Sequence, residues 1–185
     1  MKKLLLTAAI SGALLAPALA SAQTWSNSAP SLTVSATVAQ IRQFKGGSNV
    51  DLGFGSDGVE PGVTKTVAPE AASATTGTGA KVDIRFNTGT KVTVTGSALT
   101  ATVNATTYTI TPTYSCAVAT DQTGTGKVNF AGTCAAGHEF LNSTISGMTE
   151  RSVLVGASIP GTETSTKPAA TYTGTITVAL SASSS

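Results

Sequence analysis

The reactive side chains of this 185-residue sequence are few: two cysteines, one histidine and nine carboxylates. A single histidine, His138, excludes a multi-histidine zinc site and leaves at most one histidine-based nucleophile triad. It stands in Cys134-Ala-Ala-Gly-His138-Glu139, beside a loop and outside any catalytic signature. The densest carboxylate group, Asp51, Asp57 and Glu60, surrounds Gly55-Ser-Asp-Gly-Val-Glu-Pro-Gly62. Paired carboxylates serve glycoside hydrolysis and oxygen-rich loops hold calcium. The calcium-loop pattern D-x-[DN]-x-[DN]-G is absent, however, and Asp-Gly with Pro-Gly is sufficient chemistry for a turn. The Gly-Thr-Gly runs at 77–79 and 124–126 lack the strand-loop-helix setting of a phosphate-binding loop. Trp25, the one tryptophan, lies in the polar stretch Gln23-Thr-Trp-Ser-Asn-Ser-Ala-Pro30 and is a weak ligand-stacking candidate. Asn104-Ala-Thr106 and Asn142-Ser-Thr144 match the N-glycosylation pattern, but the short Lys-Lys leader has a bacterial look and both are expected to be unused. No catalytic residue, metal or cofactor is therefore expected, and the protein reads as a non-enzyme.

The elements that would position these groups follow from composition. Charged residues make up 11% of the chain and hydrophobic ones 41%, which excludes a disordered tail, a coiled coil and a disulfide-dense miniprotein. The segment Met1 to Ala22 joins Lys2-Lys3, an apolar run from Leu4 to Leu15 and the small-x-small sites of Pro17-Ala-Leu-Ala-Ser-Ala22. It reads as a cleaved signal peptide, too short to span a bilayer, and no later segment is long enough to anchor the chain. Without Lys2 and Lys3 the 11 basic and 9 acidic residues balance. A neutral surface gives no reason to expect nucleic acid as a partner. The expected location is the bacterial periplasm, the cell surface or the medium. There an even cysteine pair forms a disulfide, Cys116 to Cys134. Closing that loop is worth about 3 kcal/mol on the chain-entropy account.

Residues 23–185 read as one domain. Threonine is the commonest residue, 33 of 185, and most threonines alternate with Val, Ile, Ala or Tyr. Period-two alternation marks a strand with one wet face. It occurs at 32–38 (Leu32, Val34, Ala36, Val38), 50–54, 81–86, 91–95, 99–103 and 172–180 (Tyr172, Ile176, Val178, Leu180). The turn Asn87-Thr-Gly-Thr90 makes 81–86 and 91–95 read as a hairpin. Tyr108, Ile110, Pro112, Tyr114 and Cys116 share one parity, and Pro112 should place that strand at an edge or bend it. Val128, Phe130 and Cys134 share another, so the bridge should join two inward positions. Val153, Leu154 and Val155 suit a strand buried on both sides, and 136–149 has room for one helical turn. About eight or nine strands separated by Gly-, Ser-, Pro- and Asp-rich loops predict an all-β, antiparallel, immunoglobulin-like sandwich, with a barrel or jelly roll as the alternative.

Several pieces together resemble exported bacterial β-sandwich proteins of the pilin-like and spore-coat-U-like kind, including related domains of unknown function. They are Leu32-Thr-Val-Ser-Ala-Thr-Val38, Val50-Asp-Leu-Gly-Phe-Gly55, Pro61-Gly-Val63 with Val67-Ala-Pro69, Val92-Thr-Val-Thr-Gly96 and Thr171-Tyr-Thr-Gly-Thr-Ile-Thr-Val178. The resemblance implies a structural or adhesive surface protein, with subunits completing one another's sheets. The expected function is thus a fimbria-like subunit or a coat or matrix component, assembled through edge-strand pairing by 32–38 or 172–180. Expected partners are further copies or homologous surface subunits, with a periplasmic chaperone as another. The alternative is a secreted carbohydrate- or ligand-binding module using Trp25, Tyr108, Tyr114 or Tyr172.

Overall fold

The computed structural model describes residues 35–45, 51–69, 72–73, 77–120 and 126–184. Residues 38–185 form one compact unit; the preceding unit ends at Thr37. The leader, Trp25, Leu32 and Val34 lie outside the described residues.

The unit is all-β. Its described residues hold thirteen strands, more than composition implied because several span only two or three residues. In chain order these are β1 (Arg42–Phe44), β2 (Lys65–Val67), β3 (Ala72–Ser73), β4 (Gly77–Thr78), β5 (Ala80–Phe86) and β6 (Thr90–Gly96). Then follow β7 (Leu99–Val103), β8 (Thr106–Ile110), β9 (Thr113–Ala119), β10 (Val128–Asn129) and β11 (His138–Phe140). Last are β12 (Thr149–Ile159) and β13 (Ile176–Ala182), separated by the short helix α1 (Gly161–Thr164). A 3-10 turn at Asn142–Thr144 is the helical turn for which 136–149 had room.

One sheet runs β1-β5-β12-β9-β10, with β2 beside β12 beyond the end of β5; a second runs β11-β6-β13, and all pairs are antiparallel. Register fixes which side chains share a face, since residues directly opposite one another point the same way. Val82, Val153 and Val118 stand in one row, and Ala80, Val155 and Cys116 in the next. Together with Ile84 and Phe86 they meet Val92 and Val94 of the second sheet in a single apolar core. Each fully buried Val, Ile or Phe stabilises by about 1.5–3 kcal/mol relative to exposure. β12 is buried on both sides at Val153, Leu154 and Val155, as its uninterrupted apolar run predicts. Leu154 joins Ala117 and Ala119 in a smaller cluster on the opposite face.

Several expectations are corrected. β5 and β6 are not a hairpin: they lie in different sheets. Both are amphipathic, and facing each other across the core buries both apolar faces, whereas pairing would leave them side by side in one sheet. The connection between them is held from outside its own strands. Arg42 Nη2 donates to Gly89 O at 2.7 Å, Gly89 N to Asn142 Oδ1 at 3.1 Å and Asn87 Nδ2 to Ala39 O at 2.9 Å. Pro112 ends the pairing with β7, and β9 is then an interior strand paired with β12 and β10. Val128 is 54% exposed despite its parity with buried Phe130 and Cys134, because β10 is a two-residue edge. Leu52–Phe54 makes only a bridge, Gly53 to Thr78. Ala36 and Val38 are exposed and in no strand, Val38 at 81%, since no described strand pairs with them.

Candidate functional site: an open strand edge over an apolar cavity

The last strand is built on alternation. Ile176, Val178 and Leu180 of β13 stand opposite Gly96, Val94 and Val92, on the core face, but all three are only half-buried. Thr177 and Thr175 take the outer face and are exposed. The strand begins at Ile176, four residues later than the sequence pattern indicated, and the reason is a bulge. Gly96 pairs with Ile176 while Thr100 pairs with Thr173, so the β6–β7 side carries one extra residue. Ser97 fills it: its N donates to Thr175 O at 2.9 Å and its Oγ accepts from Thr175 N at 2.9 Å. The bulge also shifts the core-facing parity from even (Val92, Val94) to odd (Leu99, Ala101), a switch visible in the sequence.

Those contacts orient the rest of the strand. The backbone groups of Thr175, and the N–H of Ser183 bonded to Gly89 O, point toward β6. By the two-residue repeat of a strand, the N–H and C=O of Ile176, Val178, Leu180 and Ala182 point away from it. Among the described residues no strand pairs with that edge. A seven-residue edge with no lysine or proline in it lacks the usual guards against pairing with another chain.

Beside this edge the two sheets part around a cavity of about 1000 Å³. Ile176 and Val178 form one wall, Val82, Ala157 and Ile159 of β5 and β12 another, and Leu99 and Ile110 of the β7–β8 hairpin a third. The small residues Ala80 and Ala157 belong to the same lining and are themselves buried. Tyr114 closes one end: its ring lies on Gly96, where a Cβ would strike it, and its hydroxyl donates to Ser97 O at 2.7 Å. Burial pushes the Tyr114 phenol above its ordinary value. Tyr172, from the predicted assembly strand, lines the same cavity outside β13 and donates to Pro168 O at 3.1 Å.

The remaining sequence candidates lie elsewhere. Cys116 and Cys134 form the expected disulfide with Cα atoms 5.4 Å apart, both sulfurs buried. Because Cys134 O accepts from Val94 N at 3.0 Å, the bridge ties the six-stranded sheet to the segment lying against the second sheet. His138 is half-buried on β11, stacked on Phe130 with centroids 5.7 Å apart and edge-on to Phe140 at 4.8 Å. Burial among these rings lowers its pKa. The adjacent Glu139 is held below the usual carboxylate range by a hydrogen bond from Ser184, with Lys91 adding to the effect. Asp51, Asp57 and Glu60 are exposed. Nothing local in the sequence marks the cavity, since its lining brings together segments as far apart as Leu52 and Val178.

Architecture and site define an all-β protein of packed antiparallel sheets in which the outer edge of β13 is unpaired among the described residues. No family model, curated protein or solved structure matches the chain. No helix among the described residues is long and apolar enough to cross a membrane.

Proposed function

We propose that this chain is an exported structural protein of the bacterial cell surface, a fimbria-like subunit or a coat or matrix component, assembling by strand addition. The observation that carries this reading is the open β13 edge with half-buried Ile176, Val178 and Leu180 beside an apolar cavity. An incoming strand would satisfy the outward backbone groups of β13, while every second side chain enters the cavity. Residues 172–180 then act as the acceptor. They do not fill a partner's pockets, because their apolar side chains face their own core. The donor with the matching pattern is 32–38, where Leu32, Val34, Ala36 and Val38 alternate with polar residues over seven positions, the length of β13. Partners are further copies of the chain or homologous subunits, and a periplasmic chaperone would have the same edge to cover. The disulfide and the small-x-small leader support export. A stacking platform is less well supported: the Tyr114 and Tyr172 hydroxyls are engaged within the domain and Tyr108 is half-buried.

The test is complementation in trans. A chain lacking residues 23–38, mixed with a synthetic peptide of residues 30–38, should form a one-to-one complex with a raised unfolding midpoint. A peptide with Val34→Asp should not bind. Equal binding of both peptides, or of neither, would remove the proposal.

A further inference from the structure

The wall of the cavity carries two charged side chains, Asp51 and Lys167. Asp51 is exposed and lies in the segment bridged to Thr78, whereas Lys167 is half-buried just after α1. Three ion pairs are formed among the described residues, Lys45–Glu150, Lys81–Asp83 and Lys91–Glu139, and none involves Lys167. Its backbone N–H donates to Thr164 O at 3.1 Å, which fixes the main chain there. Lys167 is thus a cation of the wall with no ion-pair partner among the described residues, and an incoming carboxylate would supply one. The same lining includes Leu52, Phe54, Leu99, Ile110, Ile159 and Val178, apolar side chains suited to a hydrocarbon chain. At about 1000 Å³ the space is at the upper end for small-molecule sites.

We infer that the cavity binds an anionic amphiphile, an acyl chain with its carboxylate on Lys167. Charge complementarity selects the head and the apolar walls take the tail. The inference goes beyond the assembly reading and does not depend on it, because binding is read on a chain lacking the donor residues 23–38. The two are nevertheless linked, since Ile176 and Val178 line the cavity and also belong to the open edge. A bound acyl chain would therefore occupy the space that the side chains of an added strand would enter.

Calorimetric titration of the chain lacking residues 23–38 with sodium decanoate, and separately with decylammonium chloride, both below their micellar concentrations, is the direct test. Decanoate should bind one to one and about fivefold tighter than decylammonium, the size expected of a partly exposed ion pair. Lys167→Glu should reverse that order while leaving the far-ultraviolet circular dichroism unchanged, and Asp51→Asn should preserve it. Ala157→Leu, which narrows the cavity, should weaken both ligands. Decylammonium binding as tightly as decanoate, an order unmoved by Lys167→Glu, or affinities unmoved by Ala157→Leu would each overturn the inference, as would the absence of saturable decanoate binding.

Discussion

Ala157→Leu should destabilise the fold, as enlarging a fully buried side chain on a central strand ordinarily does. Ala157 is 1% exposed on β12, in a row with Tyr114 and Val67, and it forms part of the cavity wall. At that burial almost no water-sized space adjoins its methyl group, so three added carbons must displace the neighbouring side chains, at a cost of about 1–3 kcal/mol. For a domain of this size that corresponds to a fall of about 2–12 °C in Tm. Urea unfolding followed by circular dichroism, with an unchanged slope, reads the effect directly. The same substitution should slow strand addition, because it crowds the wall past which donor side chains would enter. A stabilisation of about 1 kcal/mol or more would show open space beside Ala157 and would refute this account of the wall.

Replacing both Cys116 and Cys134 by alanine should cost about 3 kcal/mol, measured by urea unfolding, since the bridge closes a loop with a sequence separation of 18. Gly96→Val should destabilise by about 1–3 kcal/mol through collision with the Tyr114 ring, and Tyr114→Ala in the same chain should recover part of the loss. The His138 pKa is lowered in the fold, so the unfolded chain takes up its proton first. Stability conferred there is complete above the ordinary value of 6.5 and is lost as pH falls from 6.5 through the lowered folded value. Urea midpoints of His138→Gln should be flat across that window while those of the parent decline. The Glu139 contribution has the same sign but falls away in the window below 4.5.

Local alternation was sufficient to locate β5, β6 and β7, an uninterrupted apolar run located β12, and the Cys116–Cys134 bridge was legible from an even cysteine pair of inward parity. Pairing was harder to read. The Asn87–Thr90 turn has hairpin chemistry, and nothing local distinguishes two strands that pair from two that face each other across a core. Facing across the core buries both apolar faces, and Arg42 and Asn142 hold the connection by reaching Gly89 from 47 and 53 residues away. The late start of β13 depends on the bulge at Ser97, whose signature in the sequence is the parity switch between Val94 and Leu99. The cavity had no local signal, because its lining residues look like any strand or loop residue until the opposing walls are known. Lys167 was likewise an ordinary loop lysine until the fold set it in an apolar wall.

The central claim is that the β13 edge accepts a strand from another copy. Light scattering of the purified protein, together with gel electrophoresis in SDS with and without boiling, tests it most directly. The account predicts polymers that survive SDS, collapse to a single band on boiling and disappear on deletion of residues 23–38. A monomer of constant mass under every condition would contradict it.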